Sequence, residues 1–407
     1  MNRNFGLLLS GQLISQIGDK FHMLAVAFLV LKTTGSPAKM GLVLFCSVFP
    51  SMLLGFISGA FLDRYNRKVI IVGADVVRGL IVTGLCIMYY FGTLSFPALL
   101  VAQLMLSACT AFFDPAIPAI IPQIVKKDQL TRANSQTQFV SGISTIIGPV
   151  LGGLTVAWTG YLTVFIINAG SYLFSAFFES FIRLPSRENS AGDHTNIVDD
   201  IFDGCRYVYA RKSLVMILVM VGVIHFFVGS IEVIIPVLAT NLSGGGAENI
   251  GFIQTCFGLG TVVAALIISI RNINNKETLF LFGSVFLIGV VLLAISGLHF
   301  WGMRSVFPFL IFFLTIGGLI IFAGTSFRSM LQKQVDDMMM GRVFGFVSSV
   351  GNISIPLATL IYGVLLEYLS HNVLLAASGL ILMPISIWAY HKYTETASMQ
   401  PRHESIS

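Results

Sequence analysis

The 407-residue chain alternates long apolar stretches with short polar segments. Each stretch holds about 20 or more residues, the length that an α-helix needs to cross the hydrocarbon layer of a bilayer. The pattern predicts twelve membrane spans, and because twelve is even both chain ends lie on one side. The spans cover roughly residues 5–31, 40–62, 69–91, 97–121, 135–158, 161–182, 213–240, 248–270, 278–298, 305–327, 341–366 and 371–391.

Composition supports an all-α polytopic membrane protein. Hydrophobic residues make up 55% of the chain and charged residues only 11%, whereas soluble domains carry about 25% charged residues. The net charge of +5 comes from bases in loops between spans, where the membrane surface explains them better than nucleic acid does. The five cysteines show no C-x-x-C spacing, so packing is predicted rather than disulfides or a metal site.

The basic residues predict the orientation, because Lys and Arg near the ends of spans resist translocation. With both termini in the cytoplasm, only Lys32, Lys39 and Arg304 of the 24 basic residues are external, and Lys20 lies within a span. The opposite orientation would invert this ratio. We therefore expect cytoplasmic termini.

The longest interruption between spans divides them into two sets of six. Within it, Ile197, Ile201, Tyr207 and Val208 recur near helical spacing and predict an amphipathic helix on the cytoplasmic face. The expected organisation is an N-terminal six-helix bundle (1–182), a cytoplasmic linker (183–212), a C-terminal six-helix bundle (213–392) and a cytoplasmic tail (393–407).

The two halves echo each other. The segments Val125–Arg132 and Val335–Arg342 both place Arg seven residues after Val, and their offset, 342 − 132, is 210 residues. Adding the same offset to the position of Asp63 gives position 273, which lies within the basic turn 271–276. This repeat predicts two pseudo-symmetric bundles of the kind that secondary transporters use.

Polar residues recur on one helix face in three spans. A charged side chain at a helix centre costs about 2.5–3.5 kcal/mol on insertion scales, so such faces are predicted to point into the bundle. The faces are Gln12, Ser15, Gln16, Asp19 and His22 in the first span, Gln103, Ser107, Thr110 and Asp114 in the fourth, and His225 and Glu232 in the seventh.

Asp19 is predicted close to mid-membrane, about 20 Å along its helix from the cytoplasmic end. One interpretation is that Asp19 and Glu232 carry a coupling proton with His225 assisting. The other is that Asp19 is a static partner of Lys20 or of a neighbouring helix. Lys20 itself pairs with an acid, attracts an anionic substrate group or snorkels outward, and we expect the pairing.

Two glycine-containing motifs predict close helix contact. Gly55 and Gly59 precede a charged turn, which taken alone indicates a positive-inside anchor. The fifth span carries Gly148, Pro149, Gly152 and Gly153, which taken alone indicate helix packing with a proline kink. A cytoplasmic charge network, more structural than chemical, is expected from Asp63, Asp75, Arg78 and Asp114.

Several classes of protein are disfavoured by missing motifs. The sequence holds no G-x-x-x-x-G-K-[ST] phosphate loop, no HExxH and no Ser/His/Asp nucleophile signature. It also shows no filter-like segment or charged ring of a channel. Neither an enzyme nor a cofactor is expected.

Residues 55–68 resemble the signature between the second and third helices of major facilitator superfamily transporters, with Asn66 where many members have glycine. From about residue 5 to 390, further strings resemble one branch, the Mef-type macrolide-efflux proteins and the enterobactin exporters. These strings are Gly11-Gln12…Gly18-Asp19, Ala74-Asp75…Arg78-Gly79, Phe113–Ala116, Leu130…Ala133-Asn134, Gly148-Pro149…Gly152-Gly153 and Gly341-Arg342-Val343.

The resemblance implies roles for these residues. Spans one, four and seven would line the cavity, and the fifth-span motif would seal the cytoplasmic route in exporters. Substrate would meet Gln12, Gln16, Lys20, His22, Gln103, Ser107 and Thr110. A conformational latch at the start of the eleventh helix would involve Gly59, Asp63, Arg64, Arg67, Lys68, Asp75, Arg78, Asp114 and Arg342.

The resemblance also implies a monomeric secondary transporter in a bacterial cytoplasmic membrane, surrounded by lipid. It would export amphiphilic small molecules, such as macrolide-like compounds, in exchange for protons. A proton moving down 100 mV releases about 2.3 kcal/mol. The alternatives are a dedicated siderophore or metabolite exporter, a non-transporting receptor or scaffold on the same fold, and a lipid flippase.

Overall fold

The computed structural model describes residues 3–126, 129–184, 205–244, 246–270, 276–336 and 339–399. Within these ranges twelve helices are long and apolar enough to cross a membrane, which confirms the predicted all-α polytopic fold. They are α1 (Arg3–Thr34), α2 (Pro37–Arg64), α3 (Arg67–Tyr90), α4 (Phe96–Ile124), α5 (Leu130–Thr159), α6 (Tyr161–Ser180), α7 (Lys212–Asn241), α8 (Gly246–Ile270), α9 (Glu277–Phe300), α10 (Phe307–Gln334), α11 (Met340–Tyr368) and α12 (His371–Met399).

The helices pack into two compact units. Unit one comprises Met1–Ser190, Val233–Thr255 and Thr359–Glu367, and unit two comprises Ala191–Glu232, Cys256–Ala358 and Tyr368–Ser407. Helices α1 to α6 all lie in unit one. The domain boundaries expected near residues 182, 213 and 392 stay a prediction.

Local capping chemistry sets several helix ends. The Asn66 side chain accepts a hydrogen bond from the Lys68 N–H at 3.0 Å and begins α3. Ser95 accepts one from the Ala98 N–H at 3.4 Å and begins α4. Each satisfies an N–H that has no partner within its own helix. Asn66 therefore caps a helix at the position where the resembled signature has glycine.

The ends of α4 and α10 share one geometry. Val125 and Val335 are both extended, and their N–H groups donate to the carbonyl oxygens four residues back, at 3.0 and 3.1 Å. The following helices begin at Leu130 and Met340, again 210 residues apart (340 − 130). The repeat in the sequence is thus a repeat in local backbone structure.

Unit one also contains the end of α11, which meets the start of α2. A Cβ on Gly41 would overlap the carbonyl oxygen of Thr359, so the two backbones are in direct contact. Glu367 accepts hydrogen bonds from the Ser36 hydroxyl and, at 3.2 Å, from the Ala38 N–H. The α11 carboxylate therefore caps the first turn of α2.

The described end of the linker docks within unit two. Residues 205–209 are helical, and the Tyr207 hydroxyl donates to Asp336 Oδ2 at 2.7 Å. Burial raises the pKa of Tyr207, so the phenol keeps the proton that it donates. The Arg211 guanidinium lies 3.6 Å from the centroid of the Tyr207 ring. Most of the amphipathic helix predicted from Ile197 onward lies outside the described residues.

Helices α8 and α10 touch through glycines in unit two. A Cβ on Gly317 would overlap the carbonyl oxygen of Phe257, and one on Gly260 would overlap that of Leu314. Lipid gives little hydrophobic drive for association, so van der Waals contact between close backbones holds such helices together.

Substitution at this contact tests the packing. Gly317→Ala should destabilise the protein by about 1–3 kcal/mol, because the added methyl forces backbone apart. Gly283→Ala is the control, since a Cβ there meets nothing within 4 Å in the described structure, and alanine favours helix by about 0.5–1 kcal/mol. Thermal melting in detergent should fall for the first and not for the second; equal melting temperatures would contradict the contact.

Candidate functional site

A cavity of about 410 Å³ lies inside unit one, between α1, α2, α4, α5 and α6. Its wall is rich in hydroxyl, amide and ionisable side chains, with a few apolar residues such as Met23 and Leu106. The polar lining comprises Gln16, Asp19, Lys20, His22, Ser47, Ser51, Gln103, Ser107, Thr110, Asp114, Ser141, Ser144, Thr145 and Tyr172.

The cavity brings together the polar faces of α1 and α4. Six of the seven residues expected to meet substrate line it, namely Gln16, Lys20, His22, Gln103, Ser107 and Thr110. Gln12 is outside this lining, and it is buried with 3% of its surface exposed. Its Oε1 has no hydrogen-bond partner among the described residues.

Asp19 is half-buried in the cavity wall. Its carboxylate accepts a hydrogen bond from the Tyr172 hydroxyl of α6. The charges of Arg78 and Lys20 also act on it, and Lys20 is itself exposed. A neutral hydroxyl therefore donates the hydrogen bond to Asp19, and the charges of two cations act on its carboxylate.

Behind this wall Arg78 of α3 is almost fully buried, with 1% exposed. Its Nη1 donates to Asp75 Oδ1 at 3.2 Å, and its Nη2 donates to the Thr110 hydroxyl at 3.0 Å. The guanidinium lies 4.4 Å from the ring centroid of Phe113 and 5.6 Å from that of Tyr172. Arg78 thus ties α3 to α4 and α6 through ionic, hydrogen-bond and cation–π contacts.

A second polar contact joins α1 to α4. The Nε2 atoms of His22 and Gln103 are 3.0 Å apart, and both side chains are 3% exposed. The His22 ring meets the Phe165 ring edge-on at 5.7 Å between centroids. This packing fixes the ring at the cavity wall.

The α5 glycines pack against α1 beside Asp19. A Cβ on Gly148 would lie 3.1 Å from the Ile17 carbonyl oxygen, and one on Gly152 would lie 2.9 Å from that of Phe21. Gly153 is close to Gly251 within unit one. Pro149 lies inside α5. This motif lets the α5 backbone contact the α1 segment that carries Asp19 and Lys20.

Three residues of the expected charge network interact, because the charges of Asp75 and Asp114 both act on the Arg78 guanidinium; the latch stays a prediction. Asp75 and Arg78 form their buried pair, Asp114 lines the cavity, and Arg67 donates to the Ala119 carbonyl oxygen. Lys68 engages Asn66 through its backbone N–H. For Gly59, Asp63, Arg64 and Arg342 the structure describes only the helical backbone.

His225 belongs to α7 in unit two. Its Nδ1 is 2.8 Å from the Val221 carbonyl oxygen, and a Cβ on Gly351 would lie 3.1–3.2 Å from the ring. Glu232 is half-buried and lies seven residues further along the same helix, about two helical turns away. Their role as proton carriers with Asp19 stays a prediction.

Sequence reasoning missed the polar face of α6. Asn168, Ser171, Tyr172, Ser175 and Glu179 are all buried, and their spacings of 3, 1, 3 and 4 residues were a readable signal. Single serines and an asparagine carry little weight individually, which is why the face was overlooked. Ser141, Ser144 and Thr145 of α5 share the same kind of pattern.

Residues 1–404 match the family model described as transmembrane secretion effector. The chain belongs to this family. It is a major facilitator superfamily transporter in the drug-exporter branch, as the sequence predicts. Its named relatives are transporters rather than enzymes, and it is a multi-pass membrane protein that moves small molecules.

Individual relatives are distant but cover the chain. Macrolide efflux protein A of Streptococcus pyogenes is 23% identical over 389 residues, 94% of each chain. The staphyloferrin A transporter of Staphylococcus aureus is 24% identical over 370 residues, 88% of this chain and 86% of the other. The solved structure of a bacterial homologue of the iron transporter ferroportin shares the fold, with TM-score 0.71 and 16% identity, over 97% of this chain and 99% of that one.

The buried pair makes a stability prediction. Arg78→Met should cost about 3–5 kcal/mol, because it leaves Asp75 buried without its cation. The double variant Asp75→Asn with Arg78→Met should recover part of that loss. Melting in detergent measures both.

The matched control is the exposed pair of Lys392 and Glu395, whose atoms are 2.9 Å apart. Lys392→Met should cost about 0–1 kcal/mol, because solvent screens this pair. An Arg78→Met effect no larger than the control would contradict the structural role of Arg78.

Proposed function

We propose that this transporter exports amphiphilic small molecules, such as macrolide-like compounds, by proton-coupled antiport with alternating access. The observation that carries the proposal is an ionisable side chain, Asp19, in the wall of a roughly 410 Å³ cavity. That volume is in the range of about 300–1,000 Å³ typical of small-molecule sites. An ionisable residue inside a membrane span is a functional candidate because its charge is costly there.

The Asp19 carboxylate binds either a proton or a cationic substrate, so the two compete for one site. Ionised Asp19 attracts a cationic amine on an amphiphilic substrate through a charge-assisted hydrogen bond. A proton on Asp19 removes that charge and weakens the attraction. The Tyr172 hydroxyl fixes the orientation of the carboxyl group. Exposing this site alternately to two solutions then exchanges one ligand for the other.

The rest of the cavity lining suits a ligand whose polar and apolar groups need no single fixed arrangement. Hydroxyls of Ser47, Thr110 and Thr145 both donate and accept hydrogen bonds, and Met23 adapts its shape to apolar groups. The similarity to macrolide efflux protein A supports the same substrate class. We propose that His22 and Gln103 hold the cavity wall in shape.

The remaining features belong to the same proposal. The protein acts as a monomer in a bacterial cytoplasmic membrane with both termini inside, and Glu232 with His225 serves the proton in unit two. The glycine motif of α5 limits leak on the cytoplasmic side. A receptor or scaffold on this fold would bind ligand without flux.

A dedicated siderophore exporter is a second candidate. The observation that favours it is Lys20, a cation exposed at the cavity, which attracts carboxylate groups on a substrate. The relative named as a staphyloferrin A transporter supports this reading.

Flux in liposomes tests the proton role of Asp19. Asp19→Asn should abolish erythromycin flux driven by an imposed pH gradient, because the amide cannot take up a proton. Glu395→Gln is the control, since it makes the same chemical change at an exposed site. Proton-driven flux that survives in Asp19→Asn would eliminate Asp19 as the carrier.

A second variant separates the two substrate classes. Lys20→Gln should lower transport of staphyloferrin A, whose carboxylates need a cation, and leave erythromycin transport intact. Competition uptake of the two compounds into inside-out vesicles measures this. If neither compound moves in folded wild-type protein, both substrate assignments fail.

A further inference from the structure

A second cavity, of about 300 Å³, lies in unit one at the end of the bundle where α1 and α3 end and α4 begins. The transport proposal does not use it. Its volume is at the small end of the range of about 300–1,000 Å³ for ligand sites. Most of its lining is apolar, and it comprises Leu29, Val30, Thr33, Thr34, Tyr89, Gly92, Leu94, Phe96 and Leu99.

The two threonines add little polarity to this wall. The Thr33 hydroxyl donates to the Leu29 carbonyl oxygen at 2.7 Å, and the Thr34 hydroxyl donates to that of Val30, also at 2.7 Å. The donor of each hydroxyl is therefore used within α1. Thr33 and Gly92 are exposed, so the cavity opens to the surface of the protein. A groove of this kind suits a hydrocarbon chain.

Two lysines lie beside the cavity without a carboxylate partner in the described part of the chain. Lys39 Nζ is 5.5 Å from the centroid of the Phe96 ring, which lines the cavity. Lys32 Nζ is 5.9 Å from the centroid of the Tyr161 ring, and that centroid is 6.3 Å from the centroid of Tyr89 in the cavity wall. Both lysines are exposed. One cation thus lies over a wall residue, and the other is one aromatic ring away.

The backbone adds positive potential at this end of the bundle. Helices α2, α4 and α6 begin here, at Pro37, Phe96 and Tyr161, and helix N-termini carry partial positive charge. Tyr161 is 7% exposed, and its hydroxyl has no hydrogen-bond partner within the described ranges. Glu367 also lies here, where it binds the first turn of α2 rather than either lysine. An anion therefore meets donors and positive charge beside the cavity.

The two lysines are also exceptions in the charge pattern of the chain. Lys32 and Lys39 are two of the three basic residues expected at external ends of spans, where basic residues are otherwise rare. An anionic group at the membrane surface gives a physical reason for their position, because a lysine near such a surface is attracted to anionic lipid.

We propose that this cavity, together with Lys32 and Lys39, binds an anionic phospholipid. One acyl chain enters the apolar cavity, and the phosphate lies beside the two ammonium groups. A free phosphate would leave the apolar wall without a partner, and a zwitterionic lipid brings its own cation to compete with the lysines. The site does not rest on the proposed export function, because no residue of the transport cavity lines it.

Photo-crosslinking of the full chain in phosphatidylcholine nanodiscs tests the site. The probe is phosphatidylglycerol with a diazirine on its acyl chain, and peptides that contain residues 29–34 and 89–99 should carry the label. Lys32→Gln combined with Lys39→Gln should lower this labelling by about tenfold or more, because each lysine contributes to binding. A matched phosphatidylcholine probe should label the same peptides about tenfold less than phosphatidylglycerol does.

A second pair of lysines provides the matched control. Lys126→Gln combined with Lys212→Gln removes two exposed cations elsewhere, and Lys126 lies past the far end of α4, about 40 Å along the helix from Phe96. Labelling of the cavity peptides should stay at the wild-type level in this variant. Equal labelling by the two lipid probes, or unchanged labelling in the Lys32 and Lys39 variant, would overturn the proposal.

Filling the cavity tests the place of the acyl chain. Thr33→Phe puts a ring into the lining and should abolish the label, whereas Thr93→Phe makes the same change at an exposed residue outside the lining and should not. Melting in detergent confirms that each variant folds. Full labelling in folded Thr33→Phe protein would refute the acyl site. Displacement of the probe by inorganic phosphate would identify a site for free anions and would refute the lipid assignment.

Discussion

One buried cation, Arg78, organises the polar interior of unit one. Its guanidinium holds Asp75 on its own helix, Thr110 on α4, and the ring faces of Phe113 and Tyr172. A charge at this depth persists only when partners surround it, because its desolvation is otherwise uncompensated. The helices α3, α4 and α6 are therefore obliged to meet where these partners converge.

The cavity depends on that arrangement. Tyr172 lies over the Arg78 guanidinium and donates a hydrogen bond to Asp19. One side chain therefore contacts both the buried cation behind the cavity wall and the carboxylate in that wall. Glycines at positions 148 and 152 bring α5 against α1 at the same level. The charge of Asp19 acts on the Arg78 guanidinium, and Tyr172 contacts both groups.

The sequence was sufficient for the helices and for half of the site. Apolar runs predicted all twelve spans because a lipid-exposed backbone has no alternative to a helix or closed barrel. The spacing of Gln16, Asp19 and His22 placed one face toward the interior. Spacing could not reveal which residue of another helix each would meet, so Tyr172 was overlooked beside Asp19.

The same limit applied to Glu179, but not to Asp114. The spacing of Asp114 placed it on the inward face of α4, and it lines the cavity, while its part in a cytoplasmic charge network stays a prediction. Glu179 stands next to the C-terminal end of α6, where an acid ordinarily reaches water. Its complete burial against α1 and α3 is a property of helix packing, which single-helix periodicity does not contain.

Proton release on substrate binding is the decisive measurement, because proton and substrate are proposed to compete for the Asp19 carboxyl group. Purified protein in weakly buffered solution with a pH-sensitive dye would be titrated with erythromycin and, separately, with staphyloferrin A. We expect that protons leave the protein in proportion to bound erythromycin, and that the Asp19→Asn variant binds erythromycin without releasing protons. Erythromycin binding to the wild type with no proton released would refute the proposed competition at Asp19.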